Sequence, residues 1–157
     1  MKHQKRIRLK RFSYKGCFAY FITICTCNHT EPFKKEGVFD FALQCLKEKA
    51  EEFGFKVWAY CFMPDHLHLL IEGKQKDSKM KIFMSSFKQF TGYYYKKEYN
   101  SKLWQDGYFD HVLRNEEDRI EVVRYILENP VRQKLVKSYR DYKFSGSFEF
   151  DIKTLGM

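Results

Sequence analysis

The chain has 157 residues, of which 44% are hydrophobic and 18% aromatic, and its formal net charge is +9. That length buries one sizeable core, so a single domain over 1–157 is the expectation. No apolar run approaches the ~20 residues of a membrane span, and five cysteines (Cys17, Cys25, Cys27, Cys45, Cys61) lack the spacing of a disulfide framework. These features exclude a helical membrane protein and a disulfide-stapled one. They favour a reducing, cytoplasmic setting, no membrane partner, and a polyanion such as nucleic acid.

The N-terminal arm, about residues 1–15, is dense in Lys and Arg and lacks acids. Such an arm is solvated, or lies along phosphates. With the apolar run after it, it loosely imitates a signal peptide. Tyr20, Thr23 and Thr26 interrupt that run and no small-residue cleavage site closes it, so a buried strand over 17–27 is the better reading. Cys25 and Cys27 have no second Cys or His pair at zinc-finger spacing and read as small strand residues.

From Gly37 to Phe53 the spacing turns helical, with Val38, Phe41, Ala42, Cys45, Leu46, Lys49 and Phe53 on one stripe and Gly54 as the stop. Residues 55–62 form a second strand, Met63-Pro64-Asp65 a turn, and His66 to Glu72 a third strand. A second helix is expected over about 77–97, with Met80, Phe83, Phe87, Phe90 and Tyr94 on its core stripe and Lys79, Lys81, Lys88, Lys96 and Lys97 opposite. Tyr93-Tyr94-Tyr95 suits core packing at the helix end better than base stacking. A turn at Asp106-Gly107 leads to a fourth strand within 103–114. A third helix is expected from Asn115, with Glu116, Glu117 and Asp118 at its positive end, to Asn129 before Pro130. Val131 to Ser138 forms one more helical piece on this reading, and the tail has no clear period. The order βαββαβ plus a C-terminal helix is an α+β, ferredoxin-like pattern: one antiparallel sheet with two helices on one face.

The chemistry concentrates in Cys61 to Gly73. Alternation along a strand puts His66 and His68 on one face and Leu67, Leu69 and Ile71 on the other. Two imidazoles so placed can hold one divalent cation, although a His-x-His pair alone is a weak signal. Tyr125 and Asn129, four apart, share a helix face. Taken singly, they read as an amphipathic core tyrosine and a helix terminator.

Taken together the residues resemble a family. Phe21-Ile22-Thr23, Met63-Pro64-Asp65-His66-Leu67-His68-Leu69-Leu70, Leu103-Trp104-Gln105, Asp110-His111-Val112-Leu113-Arg114 and Tyr125-Ile126-Leu127-Glu128-Asn129-Pro130-Val131-Arg132 stand in the order of the single-tyrosine HUH transposases. More narrowly, they resemble the REP-associated tyrosine transposases, relatives of the insertion-sequence-200 class, over roughly residues 12–140. The resemblance implies that His66, His68 and Asn129 bind Mg²⁺ or Mn²⁺ and that Tyr125 is the catalytic nucleophile. It also implies single-stranded or hairpin DNA as substrate, cut through a 5′-phosphotyrosine link, with either a monomer or a homodimer compatible. Lys5, Arg6, Arg8, Lys88, Arg114, Arg124 and Arg132 are the candidate DNA contacts, and His111 receives no role. The alternative is the same fold used only to bind DNA hairpins.

Overall fold

The computed structural model describes residues 12–114 and 118–156. Lys5, Arg6, Arg8 and the proposed cap at Asn115 lie outside the described residues, as does most of the basic arm. Strands β1 (Ala19–Cys25), β2 (Phe55–Met63), β3 (His66–Gly73), β4 (Phe109–Val112) and β5 (Ser145–Gly146) form one sheet in the order β4-β1-β3-β2-β5, antiparallel throughout. Helices α1 (Val38–Phe53), α2 (Met80–Tyr99) and α3 (Arg119–Arg132) complete it. This is the expected ferredoxin-like arrangement with a short fifth strand added at one edge.

Strand parity divides the core. Ile22, Ile24, Val57, Leu67, Leu69 and Ile71 pack with Ala42, Leu46, Phe83 and Phe87 of α1 and α2 in the larger cluster. Ala59, Cys61, Met63 and Leu70, from the same strands, pack with Val123, Ile126 and Leu127 of α3 in the smaller one. Gly54, at φ 74°, ends α1 in the left-handed conformation that a glycine adopts without strain, and its N–H donates to the Ala50 carbonyl.

Several expectations need correction. Phe90 is 53% exposed rather than in the core, and the Lys49 ammonium sits 3.8 Å over its ring. Burial there is unnecessary because Phe87 and Met84 already fill the interior side of the α2 turn. The tyrosine run divides: Tyr95 is buried, Tyr94 stacks on Phe41 with ring centres 3.8 Å apart, and Tyr93 is 70% exposed.

Helix α3 is capped by Asp118, whose carboxylate accepts from the Ile120 N–H, and not from Asn115. The helix also passes through Pro130 and ends at Arg132. A proline so near the C-terminus removes one ladder hydrogen bond, and burial of Ile126, Leu127, Asn129 and Pro130 offsets that loss. Residues 133–138 are turns rather than a helical piece. The tail, unassigned from sequence, supplies β5 and covers part of the α3 face. Tyr142 Oη donates to the Phe62 carbonyl at 2.6 Å, and Tyr139 Oη donates to the carbonyls of Ile152 and Leu155. No helix among the described residues is long and apolar enough to cross a membrane.

Candidate metal and nucleophile site

The site is built on the α3 face of the sheet, where the smaller core stops. Cross-strand pairing sets the rows: Thr23 and Cys61 flank His68, and Cys25 and Met63 flank His66. Directly opposed residues point to the same face, so Thr23 lies beside the His68 ring. Thr23 Oγ1 is 2.9 Å from His68 Nδ1, and the Asp65 carboxylate is 2.7 Å from His66 Nδ1. The ring of Phe21 stacks on His68 with centres 5.5 Å apart.

These contacts orient both imidazoles. A carboxylate only accepts, so His66 carries a proton on Nδ1, and in the neutral ring Nε2 is then the lone pair. The Thr23 hydroxyl can both accept and donate, so it holds the second ring in place while leaving either His68 tautomer open. The two Nε2 atoms then face one another at 3.1 Å. At that distance one Nε2–H can donate to the other nitrogen, and a cation taking the place of that proton would meet both. The Asn129 amide reaches the same point, with its Nδ2 3.4 Å from His66 Nε2. Half a turn of that amide exchanges nitrogen for oxygen, a choice that hydrogen-bond partners decide.

Among the described residues no cluster of three or more His, Cys, Asp or Glu forms a metal site. The donor atoms on offer here would instead be two imidazole nitrogens and, with the Asn129 amide turned, one amide oxygen. Such a set fits a divalent ion that keeps open positions for an anionic oxygen. Its outer partners are in place: a carboxylate on one imidazole and a hydroxyl on the other. His68 and Asn129 are buried, at 7% and 6% exposure, so neither side chain is free to swing away.

Tyr125 belongs to the same cleft, whose volume is about 1060 Å³. His66, His68, Asn129, Tyr125 and the turn at Gln105–Gly107 are among its walls. Helix α3 is held at its start by Arg119, which donates to Glu72 Oε1 at 2.8 Å, and near its end by the buried Asn129 and Pro130. The Tyr125 ring is therefore placed by a fixed helix yet is 52% exposed. It meets the Phe21 ring edge-on at 5.9 Å, and the Arg132 guanidinium lies 4.1 Å over its face.

A family model described as "Transposase IS200 like" matches residues 15–129. The chain belongs to the IS200-like transposase family. A Haemophilus influenzae protein provisionally named a REP-associated tyrosine transposase is 30% identical over 145 residues, covering 85% of this chain and 81% of that one. The REP-associated tyrosine transposase of Escherichia coli K12 is 28% identical over 103 residues, or 62% of this chain and 57% of that one. A solved REP-associated tyrosine transposase bound to a REP hairpin shares the fold, with a TM-score of 0.73 at 21% identity over 89% of this chain and 82% of that one. Tyrosine transposases are a class of DNA-cleaving and rejoining enzymes, and the resemblance read in the sequence is that of this IS200-like family.

Within this IS200-like chain the candidate basic contacts separate. Arg132 stands over the ring of Tyr125 and donates to the Tyr125 carbonyl at 2.7 Å. Lys88 has a structural role, because it donates to the carbonyls of Gln105 and Gly107 and so ties the cleft wall to α2. Arg124 reaches the tail and donates to the Gly156 carbonyl. Arg114 is exposed beyond β4. His111, opposite Phe21 on the edge strand, shares the face that bears His68. Three partners stand in the motifs quoted from the sequence but received no role there: Thr23, Phe21 and Asp65. Parity along β1 was a usable signal for the first two, because it sets Phe21, Thr23 and Cys25 against Ile22 and Ile24. For Asp65 the signal was its place immediately before His66.

Proposed function

We propose that this chain is a metal-dependent single-stranded DNA endonuclease and strand transferase that acts at DNA hairpins through a 5′-phosphotyrosine link. The observation that carries the proposal is the convergence of the His66 and His68 Nε2 atoms, 3.1 Å apart, in one cleft with a half-exposed tyrosine. The names of relatives agree with it, as does the REP hairpin bound to the solved relative.

His66, His68 and Asn129 would hold Mg²⁺ or Mn²⁺. When bound, the ion supplies Lewis-acid polarisation of the scissile phosphate and offsets charge as the transition state develops. Tyr125 Oη attacks phosphorus and loses its proton, an O–P bond forms, and the bond to the 3′-oxygen breaks to give a 3′-hydroxyl. A phenol with an ordinary pKa of about 10 is a weak nucleophile at neutral pH, so it depends on this activation of the phosphate. The 5′-phosphotyrosine keeps the energy of the broken bond. A second 3′-hydroxyl can therefore attack it and rejoin strands without ATP. Asp65 keeps the His66 imidazole in the ligating tautomer, and Thr23 holds the His68 ring in place. Arg132 faces the Tyr125 ring and offers a cation to the phosphate that arrives there.

The experiment is a denaturing gel with labelled hairpins from the DNA flanking the gene, run with Mg²⁺ or Mn²⁺. Wild type is expected to give a covalent protein–DNA band, and Tyr125→Phe and His66→Ala none. Tight hairpin binding by all three without any adduct would replace this reading with that of a hairpin-binding protein.

A further inference from the structure

A second groove lies on the far side of the Gln105–Asp106 wall. It measures about 280 Å³ and runs between α2 and residues 102–106. Gln105 and Asp106 line both this groove and the catalytic cleft. Because Lys88 pins the carbonyls of Gln105 and Gly107 to α2, the wall that the two depressions share is held in place.

The α2 side of the groove presents Gln89, Gly92, Tyr93 and Lys96, spaced three and four apart on one helix face. Tyr93 is 70% exposed and has no ring or hydrogen-bond partner among the described residues. Lys96 is exposed and has no ion pair among them. Gly92 stands inside the helix, where glycine costs about 1 kcal/mol relative to alanine, and a Cβ built there meets nothing within 4 Å. The floor is thus open beside a bare aromatic ring. Trp104, by contrast, is buried and its indole N–H donates to Thr91 Oγ1, so it supports the groove from beneath. Lys102 adds a second cation at the rim, paired with Asp106 at 2.7 Å.

An exposed ring next to lysines, one wall away from a cleft read as a DNA-cleavage site, is the combination that holds an unpaired strand: bases stack on the ring and phosphates meet the cations. We propose that this groove is a second nucleic-acid subsite, taking the unpaired single strand that continues out of the catalytic cleft, with Tyr93 as its stacking platform and Lys96 as its phosphate contact. The proposal rests on the DNA-cleavage reading given above.

The test compares blunt hairpins with hairpins bearing a ~10-nucleotide unpaired tail, on the 5′ and 3′ sides in turn, by fluorescence anisotropy with the full chain. A tail on one side is expected to tighten wild-type binding about tenfold, the size of one stacked base. Tyr93→Ala and Lys96→Glu should each lose most of that gain, Tyr93→Phe should keep it, and all three should bind blunt hairpins as wild type does. Absence of a tail effect in wild type overturns the subsite, as does a tail effect that survives both Tyr93→Ala and Lys96→Glu. A Tyr93-dependent tail effect without any adduct at Tyr125 keeps the subsite and removes the cleavage reading. An adduct without a tail effect does the reverse.

Discussion

The two faces of the sheet are made by the same strands and do different work. On the α1/α2 face Leu67, Leu69 and Ile71 of β3 are fully buried beneath two helices. On the α3 face the alternate residues of the same strand are His66, His68 and Leu70, and only Leu70 joins a core cluster. One helix cannot cover the area that two cover, so α3 and the tail close part of that face and leave a cleft over the histidines. A cleft can thus be had by under-covering one side of a sheet whose other side supplies the stability.

The largest expected effect breaks the α3 face chemically while leaving the fold alone. Removal of divalent metal with a chelator should reduce adduct formation to background, as should Tyr125→Phe, with the melting temperature of the Tyr125→Phe chain within a degree or two of wild type. Adduct formation undiminished in chelator would remove the metal from the scheme. The complementary experiment attacks the closed face. Leu69→Ala, at a fully buried position, should cost about 2–5 kcal/mol in chemical denaturation, while the fraction that remains folded keeps its cleavage chemistry. A loss under about 1 kcal/mol would mean that this face is not the stabilising one.

Smaller effects sharpen the contrast. Asp65→Asn removes the acceptor charge from His66 Nδ1 and should weaken metal affinity about 10- to 100-fold, seen as a shift in the Mn²⁺ concentration giving half-maximal cleavage. An unchanged metal titration would confine Asp65 to the turn. Thr23→Val takes the hydroxyl from His68 and should act in the same direction by less, since one hydrogen bond to a neutral group is worth about 1 kcal/mol. Smallest is a thiol test. Burial pushes the thiol of Cys61, under α3, up to about 12 and that of Cys45, on α1, up to about 11. The thiolate is the reactive form and rises with pH. Both should therefore resist alkylation at pH 8 while exposed Cys17 reacts, which mass spectrometry of labelled peptides would read. Early labelling of Cys61 would show that the α3 face opens.

Much of the fold could be read from residues alone because its signals are local. Alternation in His66 to Glu72 gave both the strand and the side on which the histidines stand. The stripe from Val38 to Phe53, closed by Gly54, gave α1. Local rules failed where long-range packing outweighed them. Pro130 read as a stop, yet α3 continues past it because Asn129 and Pro130 are buried against the sheet. Phe90 read as core by spacing, yet the interior side of that turn was already full. The tail has no period because its aromatic residues Tyr139 and Tyr142 are held by non-local carbonyls.

From the residues alone come the side chains proposed to carry the chemistry: two histidines on one strand face, a tyrosine and an asparagine one helical turn apart, and an excess of cations. These follow from periodicity and residue type, which the chain holds wherever it folds. What stands beside them depends on tertiary structure. Strand register put Thr23 against His68, the turn put Asp65 against His66, and α3 brought Asn129 within 3.4 Å of His66 across an interval of 63 residues. Register and helix docking are set by the fit of whole surfaces, and no single stretch of residues encodes that fit.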